Sequence, residues 1–344
     1  MTRVRGARPA CQKPGAAMKV ETLPGFEGLD EAHWNGLLGQ ARLPSVFLTW
    51  QWQTSWAAAF LGGRALHLLR ITDDAGMPTG LLPLYDETPG ERRLVGGVDV
   101  SDYLDLIAPA GREEEVWQAL LQHRAGDAAA WDLHGIRAPS PTLEILPRIS
   151  PASGLRASVE REDRCPVLEL PSSWEAYLER LSGKDRHELK RKIRKLEREL
   201  PGTSVRSHAS PEGWEEALAE FLRLHRLSKV GKARFMDERM EAFFREVTRS
   251  LAAAGWARLW FLDHEGAAVA AFLCVEYRGS VDLYNSGFDP VHARLAPGIV
   301  LLAHVIRDAI ERGIPLFDFL RGEEPYKYAF GPVPQDLFRV QVAP

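Results

Sequence analysis

No apolar run in the 344-residue sequence approaches the roughly 20 residues that a membrane-spanning helix requires. The opening stretch, MTRVRGARPACQKPGAAMKV, is basic but has no apolar centre of the kind a secretory signal carries. Cysteine is scarce: Cys11, Cys165 and Cys274 lie far apart, without the spacing of a disulfide framework or a zinc site. No metal is therefore expected, and a reducing cytoplasm is the expected setting. No Gly-x-Ser-x-Gly elbow, Walker loop or HExxH pair occurs, which removes the common hydrolase, P-loop and zincin chemistries. Nor is there a large excess of charge of one sign, since 43 Lys and Arg face 47 Asp and Glu for a net charge of −4. Five of those bases (Arg3, Arg5, Arg8, Lys13 and Lys19) stand in the opening stretch with no acid. The rest is more acidic than the total, which argues against DNA as a partner. Residues 1–18 are expected to form a disordered basic arm.

What the sequence does have is apolar material for about two domains of ~150 residues each: 45% hydrophobic residues, with ten Trp. Trp52 and Trp56 share a helical face and read as core, with Trp50 beside them. The chain is also one pattern written twice. Residues 64–86 and 257–278 each read as strand, short turn and apolar strand, the turns being Asp74-Ala75-Gly76 and His264-Glu265-Gly266. Two helical stretches precede each hairpin, over 30–42 and 50–61 and again over 211–228 and 237–254, the second pair opened by Ser210-Pro211 and Asp237. After each hairpin come a third strand, a helix (112–124; 297–312) and a short strand (131–136; 316–320). Self-similarity at domain length implies duplication, with a linker expected over Glu160–Pro171.

The two matching helix starts differ in charge. One reads Gly111-Arg112-Glu113-Glu114-Glu115, and three carboxylates there repel a diphosphate. The other reads His292-Ala293-Arg294-Leu295-Ala296-Pro297-Gly298 before Ile299, with no acid in its first turn. A helix N-terminus attracts anions, Pro297 suits a first turn and Gly298 permits close approach. An anionic ligand is expected at the second start and not at the first. Before it runs Asn285-Ser286-Gly287, ending a strand.

Three other features carry polar chemistry. Between the halves, KDRHELKRKIRKLER (184–198) is helical by its Leu189, Ile193 and Leu196 stripe, with Lys190, Arg191, Arg194 and Lys195 on other faces. Such a run is either a solvated face or a wall for a polyanionic substrate. His225 stands at the end of a helix, as a structural residue or as a general base. Finally, FDFLRGEEPYKYAFG (317–331) sets Asp318 between two core-facing Phe, then a lip of Arg321, Glu323 and Glu324, then Tyr326, Lys327 and Tyr328. Asp318 is expected to be covered and to meet Lys327 or a tyrosine hydroxyl, as a proton acceptor or as an anchor.

The element order, together with LSGKDRHELKRKIRKLERE, FLRLHRLSKVGKARF, YNSGFDPVHARLAPGIVLLAHVI and FDFLRGEEPYKYAFG, resembles the CelD/BcsL-like acetyltransferases of the GNAT superfamily, distant relatives of the FemAB aminoacyl transferases. The resemblance covers most of the chain from about residue 20 and is strongest after 170. It implies an α/β protein of tandem GNAT-like (acyl-CoA N-acyltransferase) domains, each a mixed central sheet flanked by helices. Residues 19–165 would form an N-terminal domain without a cofactor site and 166–344 a C-terminal domain with an acyl-CoA site.

The implied activity is transfer of an acetyl or other acyl group from acyl-CoA to an amine or hydroxyl of a small metabolite, sugar or cell-envelope precursor. The strand 281–287 would cradle the thioester, and the donor would meet Asn285, Ser286, Gly287, Arg294, Pro297, Gly298 and Ile299. Catalysis would fall to His225, Asp318, Tyr326 and Lys327, a tyrosine (326 or 328) protonating the thiolate. The acceptor would lie between the domains, against Lys190, Arg191, Arg194, Lys195, Arg321 and Glu324. The alternatives are FemAB-like transfer from charged tRNA docked on the basic helix, and a non-catalytic ligand-binding GNAT-like protein.

Overall fold

The two halves of the computed structural model, which describes residues 18–124 and 126–344, repeat one order of elements. The arm expected over 1–18 lies, save Met18, outside the described residues. The first half runs β1 (Lys19–Leu23), α1 (Glu31–Leu38), α2 (Trp50–Phe60), β2 (Leu66–Thr72), β3 (Pro78–Thr88), β4 (Glu91–Leu94), α3 (Glu113–His123), β5 (Ala130–Arg137), α4 (Thr142–Ile149) and β6 (Arg156–Glu169). Two helices follow, α5 (Trp174–Arg180) and α6 (Gly183–Glu199). The second half then runs β7 (Ser204–His208), α7 (Trp214–Ser228), α8 (Val230–Phe235), α9 (Glu238–Ala253), β8 (Ala257–His264), β9 (Ala267–Tyr277), β10 (Ser280–Phe288), α10 (Pro297–Glu311), β11 (Leu316–Asp318), α11 (Pro325–Tyr328) and β12 (Val333–Ala343).

Local chemistry sets many of the boundaries. Asp30, Thr49, Ser182 and Asp237 each accept a backbone N–H from the first turn of the helix they precede, replacing a bond the helix cannot supply itself. Helix α7 begins at Trp214, after the left-handed Gly213, rather than at the Ser210-Pro211 signal. It stops where Lys229 turns extended, and α8 starts one residue on.

The strands form one mixed sheet in the order β1-β2-β3-β4-β5-β12-β6-β11-β10-β9-β8-β7. The expected linker at 160–171 is not a linker, because most of it belongs to the 14-residue strand β6. Strand β6 pairs antiparallel with β11 of the second half, while β12, the last strand of the second half, pairs with β5 of the first. The two exchanged strands also pair with each other, from Val333 opposite Val167 to Ala343 opposite Arg156. Each half therefore completes its sheet with a strand from the other.

The seam is apolar as well. Trp52, fully buried, sets its ring 5.7 Å from Phe243 and 5.2 Å from Tyr284 of the second half. Its indole N–H donates to Ser101 Oγ at 2.8 Å. Trp56 is buried too and Trp50 half-buried, so this trio is core. Among the described residues no helix is long and apolar enough to cross a membrane.

Candidate functional site

The site begins where two parallel strands part. Strands β10 and β11 pair only from Ser280 opposite Leu316 to Asp282 opposite Asp318. Beyond that rung β11 ends, and β10 continues to Phe288 with β9 on one side and an open edge on the other, its register broken by a bulge at Tyr284. The open edge is polar. Lys232 of α8 donates to the Ser286 carbonyl, and to Ser286 Oγ at 3.1 Å. In an antiparallel strand a residue's N–H and C=O face the same way, so the Ser286 N–H also faces this edge. There it meets Asn285 Oδ1 at 3.3 Å.

Two cavities flank that edge. One, of about 510 Å³, runs from Gly287, Phe288 and Phe272 to Pro297, Gly298 and Ile299 at the start of α10. Its lining is largely apolar until Lys229 and Lys232. The first turn of α10 holds no acid, and a Cβ added to Gly298 would meet nothing within 4 Å. Pro297 has no N–H, and Ile299 and Val300 donate theirs to the Ala296 carbonyl, so an anion can come up against the Gly298 N–H at a positive helix end. At the matching helix, α3, Glu113 already accepts the Gly111 N–H at 2.6 Å, so a carboxylate occupies that end.

The second cavity, of about 420 Å³, lies between the halves. The first half supplies Val98–Val100 and Asp102, and the second half supplies Tyr284, Asn285 and the 319–322 turn. Four residues line both cavities: Lys232, Ser286, Glu324 and Tyr326. Burial, then the charge of Lys229, brings the Lys232 ammonium down to about 8. Burial, then Glu324, raises the Tyr326 phenol, which keeps its proton at neutral pH. Burial works against ionisation of Glu324, but the Lys327 hydrogen bond and charge prevail and hold its carboxyl below the ordinary value.

The structure brings Asn285, Ser286, Gly287, Pro297, Gly298, Ile299, Arg321, Glu324, Tyr326 and Lys327 to these two cavities. It does not bring the others there. His225 is buried and lines neither cavity; its Nε2 lies 2.9 Å from Asn285 Oδ1. Burial and the Lys232 charge push its pKa down to about 4, so it is neutral and orients Asn285 rather than standing over an acceptor. Its neighbour Gly287 is needed for packing, because a Cβ there would come within 2.4 Å of the His225 backbone nitrogen.

Asp318 also sits behind the wall. Phe317 and Phe319 meet edge to face in the core with ring centres 5.0 Å apart, and Asp318 faces the other way. Its partner is neither Lys327 nor Tyr326 but Tyr103 of the first half, whose hydroxyl donates at 2.6 Å, while the Leu320 N–H donates at 2.7 Å. Burial raises both Asp318 and the Asp282 carboxyl paired beside it, the Asp318 charge adding to the effect at Asp282 and the Asp102 charge at Asp318, so the pair holds a proton readily. Lys327 donates instead to the carbonyls of Leu320, Arg321 and Gly322 at 2.8–3.2 Å and pairs with Glu324 at 2.9 Å. It ties down the turn that left-handed Leu320 opens. Arg321, expected as an open lip, reaches across to the first half, donating to Val98 and Ser101 carbonyls and pairing with Asp102 at 3.2 Å.

The basic helix is displaced from the cleft expected for it. Lys190, Arg191 and Arg194 are exposed and line neither cavity, and α6 packs on α10. Arg191 pairs with Glu188 on its own helix, and Lys195 donates to the Arg294 carbonyl at 2.9 Å. Arg294 itself pairs with Glu199 at 2.6 Å, outside the larger cavity. Sequence reasoning missed Lys232 and Tyr103. The stretch Ser228-Lys229-Val230-Gly231-Lys232 offered a signal, a lysine pair around a helix break, whereas Tyr103 had none.

Residues 183–328 match the family model described as an acetyltransferase (GNAT) domain, a span that contains both cavity walls of the second half. The whole chain is similar in fold to FemX, at TM-score 0.62 and 11% identity, covering 93% of this chain and 96% of that one. It is similar also to L-PGS from Bacillus licheniformis (TM-score 0.59, 12% identity, 90% and 91% covered). A third likeness is to the C-terminal domain of a putative lysylphosphatidylglycerol synthetase from Agrobacterium fabrum (0.58, 12%, 90% of each). At such identities the likeness is one of fold alone. The sequence matches no curated protein.

Proposed function

We propose that the protein is an acyltransferase of the CelD/BcsL-like kind, moving an acyl group from acyl-CoA in the 510 Å³ cavity to an amine or hydroxyl held between the halves. The observation that carries this reading is the open edge of β10 leading directly to the acid-free start of α10, with space over Gly298. The fit to an acyl-CoA is chemical. A diphosphate would meet the α10 N-terminus and Lys229, while a pantetheine arm would lie along the apolar lining. A thioester carbonyl at the Ser286 N–H would have a donor for the negative charge that develops on its oxygen. Tyr326, protonated and shared by both cavities, is placed to give its proton to the departing thiolate. Asn285, held by His225, presents its amide to the acceptor side.

The tRNA-dependent alternative draws no support from the basic helix, which lines neither cavity. The test is a thermal-shift titration with CoA and acetyl-CoA. Ligand at a hundredfold excess over Kd adds ~2.7 kcal/mol of stability. Gly298→Glu, whose Cβ meets nothing within 4 Å, should fold normally and lose that stabilisation. Retained stabilisation in the variant would put the donor elsewhere.

A further inference from the structure

Lys232 has features that a binding role does not require. Its side chain is half-buried at the boundary shared by the two cavities, beside the edge of β10 at which the thioester is placed above. Two acceptors, the Ser286 carbonyl and Ser286 Oγ, receive two of its N–H groups. A neutral amine has two N–H donors and one lone pair. With both donors engaged on Ser286, that lone pair is left without a protein partner.

We propose that Lys232 is an acylation site of the protein itself: in the absence of an acceptor, its amine takes the acyl group from the bound thioester. The inference rests on the donor reading given above. Nζ attacks the thioester carbonyl carbon, the C–N bond forms and the C–S bond breaks. The proton lost from Nζ ends on the CoA sulfur by way of Tyr326, so the products are an amide on Lys232 and CoA thiol. No further reactant is needed.

The surroundings favour the neutral amine. Lys229, at the break between α7 and α8, and burial both disfavour the ammonium; Glu324, before α11, opposes them. Tyr326 on α11 and His225 on α7 are both uncharged at neutral pH. At a pKa of about 8, roughly a quarter of such amines are neutral at pH 7.5, against about one in a thousand for an ordinary lysine. Lys229 lines the same donor cavity but is exposed, and serves as an internal comparison. Acylation removes the Lys232 charge and places extra atoms at the boundary of the cavities. The modified chain keeps its donor cavity but can no longer pass an acyl group across, so the reaction switches transfer off when acceptor is short.

The full chain, incubated with acetyl-CoA alone, is followed by intact mass and peptide mapping, with thermal shift in parallel. The expected result is one acetyl group at Lys232, forming at least about tenfold faster than at Lys229 and suppressed by excess CoA. The rate should rise about tenfold between pH 7 and 9 and then level off, where an ordinary lysine would rise about a hundredfold and continue. In Lys232→Arg the label at this position disappears. If acetyl-CoA stabilises the protein but Lys232 reacts no faster than Lys229, the inference is overturned and the donor reading stands. If acetyl-CoA gives no stabilisation, the donor reading falls and takes the inference with it.

Discussion

At the scale of single residues, the site depends on small side chains as much as on reactive ones. Gly287 lets α7 lie directly on β10, which is how His225 comes to reach Asn285. A methyl group there has backbone on the far side, which cannot swing away as a side chain would. Gly287→Ala should therefore destabilise by about 1–3 kcal/mol in urea unfolding and weaken acyl-CoA binding with it. Tyr326 presents the opposite case, since its hydroxyl has no protein partner among the described hydrogen bonds and its ring is partly exposed. Tyr326→Phe should leave stability and CoA affinity nearly unchanged and slow thiol release to an amine acceptor by about a hundredfold or more. Equal rates in the two proteins would remove Tyr326 from the chemistry.

At the scale of elements, the exchanged strands are held by charge as well as by backbone pairing. Arg339 of β12 reaches Asp132 of β5, and His134 of β5 bridges Asp132 at 2.9 Å and Glu162 of β6 at 2.8 Å. Burial disfavours the imidazolium, but the hydrogen bonds it donates to both carboxylates prevail and lift its pKa to about 9. A folded-state pKa above the unfolded one means the native state binds the extra proton. The stabilisation is thus complete below about pH 6.5 and is lost as pH rises through about 9. The unfolding midpoint should fall between pH 7 and 9.5, and His134→Gln should flatten that part of the curve. A wild-type midpoint that stays level across the range would show that His134 carries no charge here.

At the scale of the whole molecule, the halves cannot come apart without unpairing β6 and β12. One hydrophobic cluster also runs through both, from Trp34 and Trp52 to Phe221 and Phe243. Calorimetry should therefore show a single unfolding transition rather than two. Removing the chain after Gly331 deletes β12, which completes the first half's sheet although it is the last strand made. The truncated chain should lose structure in both halves, seen as loss of protection in β5 as well as in β6. A first half that stays protected would mean the exchange is dispensable.

The sequence by itself determined the order of elements and their repetition, because hydrophobic period, capping residues and turn chemistry act within a few residues. It also marked which of the two helix starts is free of acid, since Glu113–Glu115 and Pro297-Gly298 are read directly from it. Even the alternation of Phe317, Asp318 and Phe319 was legible, as strand geometry alone sends alternate residues to opposite faces. Only the tertiary structure decided that β6 and β12 change places, because strand pairing is fixed by contacts between distant segments, with no local mark on either strand. It alone set Tyr103 on Asp318, 215 residues away. It left Lys190, Arg191, Arg194 and Lys195 outside both cavities, because their helix is placed by the apolar stripe that docks on α10 and not by its charges. And it singled out Lys232, whose chemistry comes from burial: a lysine's pKa is changed by the water it loses, and no stretch of sequence records how much water will be left.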